Sequence, residues 1–258
     1  MAEDVAKADW PQIGDIIPNH DGDRPSGTAV LSGLRTVLQL DVPVAVEFGA
    51  QQLVWVENEV RTELEYEAFA LGRQLFLVDA MPAAPDRRSM TMIWDVGAMR
   101  ALVAETTFPT PEQAQSPVLE RLSRTGQQSA VRVRYRQGGI GRATTAQFSR
   151  STALVGRLLR YRYSDTHEYD HIYHSERFYS WYCRQGPDRG LGDFEECDVF
   201  GLHEDLYFVS WREKLLPCVG IMVEDHERMR ALGKICGADA YTGVIANTRV
   251  GAAISRIS

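Results

Sequence analysis

Short runs of apolar or alternating residues, separated by turn-forming residues, recur along the chain from about residue 27. In the first half these runs are Thr36–Leu40, Val44–Phe48, Gln52–Val56, Arg61–Phe69, Gln74–Val78 and Met90–Trp94. The pattern returns in the second half at Tyr161–Tyr163, Tyr169–Tyr173, Phe178–Cys183, Leu206–Trp211 and Val219–Val223. Because short, regularly spaced strands with turn signals between them form hairpins, the pattern predicts an all-β sandwich or antiparallel barrel.

The two halves are also related to each other. Leu71–Val78 matches Leu202–Val209 at an offset of 131 residues, and Ala98–Leu102 matches Arg228–Leu232 at an offset of 130. A near-constant offset on both sides of a strand pair indicates an internal repeat. The sequence therefore predicts antiparallel barrel structure built from two diverged copies with short helices, and leaves open whether the copies close one barrel or two.

Breaks in the pattern suggest the boundaries of these copies. Residues 1–26 contain three prolines and no lasting period, which predicts an extended lead-in. The first repeat then covers 27–105, and the second covers 151–258 and carries the candidate site. The proline-containing stretch 106–150 is interpreted as a connector with one strand candidate at 132–136.

Composition narrows the class of protein. The chain has 44% hydrophobic and 24% charged residues, which is ordinary globular usage. A net charge of −7 makes a nucleic-acid partner unfavourable. The polar N-terminus and the lack of a long apolar run predict neither a secretory signal nor a membrane span. None of the four cysteines forms a C-x-x-C pair, so we expect reduced thiols and a cytoplasmic location.

Aromatic residues are concentrated in the second half, where 13 of the 24 lie between Tyr161 and Trp211. Alternate strand positions share a face, so Tyr161 and Tyr163 point together, as do Tyr207, Trp211 and Glu213. If that face is the barrel interior, it forms an aromatic ligand pocket with phenol hydroxyls and a carboxylate. The alternative is a packed core whose tyrosine hydroxyls bond to the backbone.

Glu213 is the sharpest candidate for chemistry. A carboxylate among aromatic rings is poorly solvated, so its pKa should rise toward neutrality, where acid–base catalysis is efficient. In the first copy the positions of Trp211 and Glu213 hold Ala80 and Pro82, so only the second copy has this pair. The competing interpretation is a surface glutamate beside Arg212 at a strand end.

Motifs in the second half resemble those of the molybdenum-cofactor-biosynthesis protein F (MoaF) family, and the first half resembles its N-terminal domain more weakly. The motifs are Tyr169–Tyr173, Trp181–Asp193, Asp205–Lys214 and Met229–Ile235. The second half is also similar to phenolic acid decarboxylases, which are lipocalin-like barrels that use no cofactor. These resemblances imply a calycin-like, lipocalin-like fold.

The decarboxylase resemblance also implies roles for individual residues. Tyr161-Arg-Tyr163 fits the Tyr-x-Tyr pair of that family, and Val209-Ser-Trp-Arg-Glu213 fits the strand with its acid–base glutamate. Arg189 stands in Asp-Arg-Gly-Leu-Gly, where the decarboxylases have Gly-Arg-Trp. The implied mechanism has the tyrosines and Arg189 hold an anionic or enolic oxygen while Glu213 moves a proton. We expect the substrate to contact Tyr173, Trp181, Tyr207, Trp211 and Arg212.

Three functions follow as hypotheses. The first is a cofactor-free lyase, isomerase or cyclase acting on a hydrophobic or aromatic small molecule. The alternatives are a lipocalin-like carrier and an accessory factor in molybdenum cofactor biosynthesis. No metal site is expected, because His167, His171 and His174 do not share one strand face. The expected partner is a small molecule, and a homodimer is compatible with the sequence.

Overall fold

A computed structural model describes residues 26–82 and 86–257 as two closed antiparallel barrels. The strands of the first are β1 (Arg35–Gln39), β2 (Val44–Phe48), β3 (Gln52–Glu57), β4 (Val60–Gly72), β5 (Leu75–Pro82), β6 (Arg88–Asp95), β7 (Arg100–Thr107) and β8 (Arg132–Ile140). Those of the second are β9 (Leu158–Ser164), β10 (His167–Tyr173), β11 (Phe178–Gln185), β12 (Gly192–His203), β13 (Leu206–Arg212), β14 (Cys218–Asp225), β15 (Arg230–Ala238) and β16 (Ile245–Arg256). The predicted all-β architecture of two antiparallel barrel repeats is confirmed, and each copy closes its own barrel.

Each barrel closes between its first and last strands. In the first, Leu38 of β1 lies opposite Ile140 of β8, and in the second Tyr161 of β9 lies opposite Ile254 of β16. Closure leaves no open sheet edge, which stabilises an antiparallel sheet against pairing with other chains.

The boundary after the first repeat needs correction. Strand β8 lies inside the predicted connector 106–150, yet it pairs with both β1 and β7 and completes the first barrel. The first unit therefore extends to Ile140, because a lone strand candidate in sequence cannot reveal which sheet it joins. The predicted lead-in over 1–26 falls almost wholly outside the described residues.

Two short helices separate β7 from β8: α1 (Pro111–Ala114) and α2 (Val118–Thr125). A capping box starts α1, in which the side chain of Thr110 accepts from the backbone of Gln113. Helix α2 ends at Gly126, whose φ of 69° is the left-handed conformation that glycine adopts most easily. Within the described ranges, no helix is long and apolar enough to cross a membrane.

The turns after the equivalent strands β6 and β14 preserve the duplication in detail. The carboxylate of Asp95 accepts from the backbone N–H of Ala98 at 2.9 Å. In the second copy Asp225 accepts from Arg228 at 2.8 Å. The methionine that follows has a φ of 53° in one turn and 54° in the other. The Met-Arg-Ala-Leu repeat thus marks the same strained turn in both copies.

The barrels pack against each other through their outer faces. A single hydrophobic cluster joins Leu77 and Ile93 of the first barrel to Phe208 and Val223 of the second. Buried polar contacts cross the same surface. The ammonium of Lys234 donates to the carboxylate of Asp79 and, at 2.9 Å, to the hydroxyl of Ser89. The outward positions of the strands therefore join the barrels, and the inward positions form two separate interiors.

Candidate functional site

The interior of the second barrel gathers most of the aromatic residues predicted to form a pocket. Tyr161 and Tyr163 of β9 enter it together, and Tyr207 and Trp211 of β13 enter from the opposite wall. Other members of this cluster are Tyr173, Tyr179, Cys197, Val209 and Met222, with Trp181 partly buried against them. The structure thus places the two predicted tyrosines and strand β13, which ends one residue before Glu213, around one interior.

Glu213 follows Trp211 at one end of this interior. The indole Nε1–H of Trp211 donates to Glu213 Oε1 at 3.0 Å. The backbone N–H of Glu213 donates to the carbonyl of Cys218 at 3.0 Å, which holds the start of the β13–β14 turn. Burial of the carboxyl raises the pKa of Glu213 to about 7. Its proton is therefore easily gained or lost near neutral pH.

Glu195 is the partner of Glu213, a position that the sequence pattern does not predict. It is 0% exposed, and its Oε2 accepts from the backbone N–H of Lys214 at 3.0 Å. Burial, followed by the charge of Glu213, raises the pKa of Glu195 far above its usual range. Each carboxyl also shifts the pKa of the other, so the two groups are neighbours. Glu195 is thus the protonated member of the pair at the pH where Glu213 ionises.

A second polar cluster lies further along the barrel, where Tyr207 of β13 pairs with Glu224 of β14. Glu224 is 1% exposed. Its Oε2 accepts from the hydroxyl of Tyr161 at 2.9 Å, and its Oε1 accepts from the hydroxyl of Tyr173 at 3.0 Å. Nε2 of His226 lies 2.9 Å from Oε2. We call Glu224, Tyr161, Tyr173, His226 and Arg157 the Glu224 cluster.

Arg157 completes this cluster from the segment that precedes β9. Its Nη1 lies 3.2 Å from Nδ1 of His226. An arginine can only donate, so Nδ1 accepts and the ring carries its proton on Nε2. His226 then donates to Glu224. Three donors thus converge on one buried carboxylate, which is the usual requirement for keeping such a group charged.

His171 lies between the two polar groups. Its ring stacks on Tyr161 at 4.2 Å between centroids and meets the rings of Tyr179 and Trp211 at 5.1 and 6.0 Å. Burial lowers the pKa of His171 to about 3, so it is a neutral part of the aromatic wall. His174 instead is exposed and bonds to the hydroxyl of Ser180 at 2.8 Å.

Two predicted arginines do not reach the interior. Arg189 is exposed in the turn between β11 and β12, where its neighbour Asp188 is buried and accepts from Tyr169 at 3.2 Å. Arg212 points outward, because it alternates with Trp211 on β13. Its guanidinium pairs with Asp198 at 2.6 Å at the surface between the barrels. Neither arginine is placed to hold a ligand beside Glu213.

The missed residues left signals in the sequence. Glu195 alternates with Cys197 on β12 and therefore shares the inner face, although the adjacent Glu196 hides that alternation. Glu224 is displaced by 130 residues from Trp94, which pairs with Phe76 as Glu224 pairs with Tyr207. Comparing the copies residue by residue would have identified Glu224 as an acid in place of a buried tryptophan.

The fold and the interior define a protein of two fused antiparallel barrels, one of which holds paired carboxyl groups among aromatic rings. The family model described as the MoaF N-terminal domain matches residues 8–110, and that of the MoaF C-terminal domain matches residues 148–258. Protein MoaF of Klebsiella aerogenes is 30% identical over 191 residues, which cover 72% of this chain and 71% of that protein. The chain belongs to the MoaF family.

A comparison of structures adds little. A crystal structure from Burkholderia vietnamiensis, provisionally described as a beta-lactamase, overlaps 42% of this chain and 100% of its own length. The TM-score is 0.35 and the sequence identity 15%. This likeness carries no argument about activity.

Proposed function

We propose that the second barrel binds a hydrophobic or aromatic small molecule and moves a proton on it without a cofactor. The observation that carries this proposal is the Glu213–Glu195 pair. One carboxyl has a pKa near 7 and the other stays protonated beside it. A carboxyl poised near the working pH is suited to both accept and return a proton.

Isomerisation is the reaction that best fits this pair. Ionised Glu213 takes a proton from a carbon adjacent to a carbonyl, and the electron pair of that C–H bond moves into a conjugated enolate. The Glu213 carboxyl then returns the proton to a different carbon, so the double bond has moved and no atom is gained or lost. Protonated Glu195 stands beside Glu213 and can donate a hydrogen bond to it once Glu213 is ionised, and the aromatic walls exclude water.

Decarboxylation is less well supported. It requires a group that holds the substrate carboxylate, and Arg189, which the resemblance implied for that role, is exposed in a turn. The second predicted arginine, Arg212, is paired with Asp198 outside the interior. The proposal therefore rests on proton transfer at carbon rather than on loss of CO₂.

The test begins with native mass spectrometry of freshly purified protein, followed by extraction of any retained small molecule. That molecule is then incubated in D₂O with wild type, with Glu213→Gln and with a matched control, Glu204→Gln, at an exposed turn position. Isomerase activity predicts deuterium on carbon with wild type and with the control, and none with Glu213→Gln. A bound molecule that wild type leaves free of deuterium would refute the proton-transfer proposal.

That refuting outcome would favour the carrier hypothesis. Its support is that most of the interior is apolar and that the hydroxyls of Tyr161 and Tyr173 are already hydrogen-bonded to Glu224. A carrier would keep its affinity in Glu213→Gln.

The family name suggests a third function, an accessory factor in molybdenum cofactor biosynthesis. Pterin or molybdate retained by the purified protein would support it.

All four cysteines are free and buried, which fits the reducing environment of a cytoplasmic location.

A further inference from the structure

In the Glu224 cluster every hydrogen bond is donated toward Glu224, and this pattern of donors and acceptors determines which polar group a ligand can present. We propose that Tyr161 and Tyr173 offer the ligand only acceptor oxygens, so this end of the barrel binds a hydroxyl or ammonium group and disfavours a carboxylate. The inference deepens the proposed function and rests on it, because it assigns the polar end of the small molecule.

Arg157, which precedes β9, determines which nitrogen of His226 donates and which accepts. The guanidinium of Arg157 cannot accept a hydrogen bond, so its contact with His226 fixes the imidazole as an acceptor on Nδ1 and a donor on Nε2. His226 therefore delivers its proton to Glu224 at 2.9 Å. With His226 and the two tyrosine hydroxyls as donors, both carboxyl oxygens of Glu224 act as acceptors.

Counting protons gives the consequence for the tyrosines. Tyr161 and Tyr173 have one hydroxyl proton each, and their oxygens lie 3.2 Å apart. Each proton can go to Glu224, or one tyrosine can donate to the other, which then donates to Glu224. Both protons are used inside the cluster in either arrangement. A ligand that meets these oxygens must bring its own donor.

Charge works in the same direction. Glu224 is a buried negative group, and Arg157 reaches it only through His226. A ligand carboxylate or phosphate placed here would meet a like charge at low dielectric, whereas an ammonium or hydroxyl would be attracted. The expectation that Tyr161 holds an anionic oxygen therefore does not fit these contacts.

The cluster is specific to the copy that carries Glu213. At the equivalent positions the first barrel has Trp94 and Val96, and Trp94 packs edge-on against Phe48 at 5.0 Å. The same fold closes around an apolar interior there. Barrel architecture alone does not require the Glu224 cluster, which points to a ligand as its purpose.

Three probes of nearly equal shape test the inference: cinnamyl alcohol, its methyl ether and cinnamate. Titration is followed by the fluorescence of Trp181 and Trp211, which line the interior, and checked by calorimetry. For wild type we expect the alcohol to bind about tenfold more tightly than the ether, since one hydrogen bond is lost. Cinnamate should bind most weakly.

Glu224→Gln keeps the shape of the side chain and replaces one accepting carboxyl oxygen with an amide group that donates. The amide N–H₂ donates to a tyrosine, whose own proton then turns toward the ligand. We expect the alcohol-to-ether ratio to fall toward one and the affinity for cinnamate to rise at least tenfold. Glu204→Gln, at its exposed turn, should reproduce wild type.

Each result decides the matter. Equal binding of alcohol and ether by wild type, or cinnamate as the tightest ligand, overturns the inference and leaves small-molecule binding intact. No binding of any probe counts against the proposed function and overturns the inference with it. If Glu224→Gln fails to fold, the ¹⁵N shifts of His226 in wild type decide: an unprotonated Nδ1 supports the inference, and a protonated Nδ1 refutes it.

Discussion

Replacing Glu213 with glutamine should make the protein more stable above neutral pH, although it removes the proposed acid–base group. An unfolded glutamate titrates near its ordinary pKa of 4.5, while burial raises the pKa of Glu213 in the folded chain to about 7. Between these values the folded state holds more protons than the unfolded state. The free energy of unfolding therefore falls as pH rises through this window.

The size of the effect follows from the two pKa values. Their difference of about 2.5, at about 1.4 kcal/mol per pKa unit, is a penalty of about 3 kcal/mol that is complete above pH 7. Below pH 4.5 the carboxyl is protonated in both states and the penalty is absent. Glutamine cannot ionise, so it avoids the penalty and can still accept from the indole of Trp211.

The assay is urea unfolding of wild type and Glu213→Gln at pH values from 4.5 to 8.5, with Glu204→Gln as the exposed control. The stability difference between Glu213→Gln and wild type should grow from near zero to about 3 kcal/mol with a midpoint between pH 5 and 7. The control should track wild type throughout. A difference that does not change with pH would refute the assignment of a raised pKa to the buried carboxyl pair.

Three further predictions concern the scaffold and the excluded arginine. Lys234→Met should lower the free energy of unfolding by about 3 kcal/mol in urea titrations, because it leaves the carboxylate of Asp79 without its buried cation; an unchanged midpoint would contradict this. Gly233→Ala should destabilise strongly and reduce the melting temperature, since its Cβ would lie 1.9 Å from the carbonyl oxygen of Ile221; wild-type melting would show that the strands can separate there. Arg189→Ala should leave deuterium exchange into the ligand at the wild-type rate, because the side chain is exposed; loss of exchange would restore Arg189 to the site.

The repeat and the hairpins were predictable from sequence because they depend on local chemistry. Alternating residues and turn formers mark strands over a few positions, and the aromatic interior followed from the alternation of Tyr161 with Tyr163 and of Tyr207 with Trp211. Glu213 became a candidate for the same reason, since it continues the alternation of Tyr207 and Trp211 one residue beyond the end of β13. The closing role of β8 was not predictable, because it depends on pairing with β1 across about a hundred residues of chain.

The polar partners escaped prediction because they depend on register between strands. The position of Glu195 depends on the register between β11 and β12, which places it opposite Tyr179. Glu224 meets Tyr161 and Tyr173 across the barrel interior rather than along any strand. Arg212 lies next to Trp211 in the sequence, yet it faces the other side of the sheet, because adjacent residues of a strand point to opposite sides.

The surface that joins the barrels uses the same side of each copy. Leu77 and Phe208 are displaced by 131 residues, as are Ile93 and Val223 by 130, and all four belong to one cluster. In an isologous dimer the same surface of each subunit forms the interface. Here the two copies use the same surface in this way within one polypeptide. The outward-facing residues are constrained by the contact between the two barrels, whereas the inward-facing residues pack within their own barrel. The second copy could therefore acquire acids inside without disturbing the contact that unites the halves.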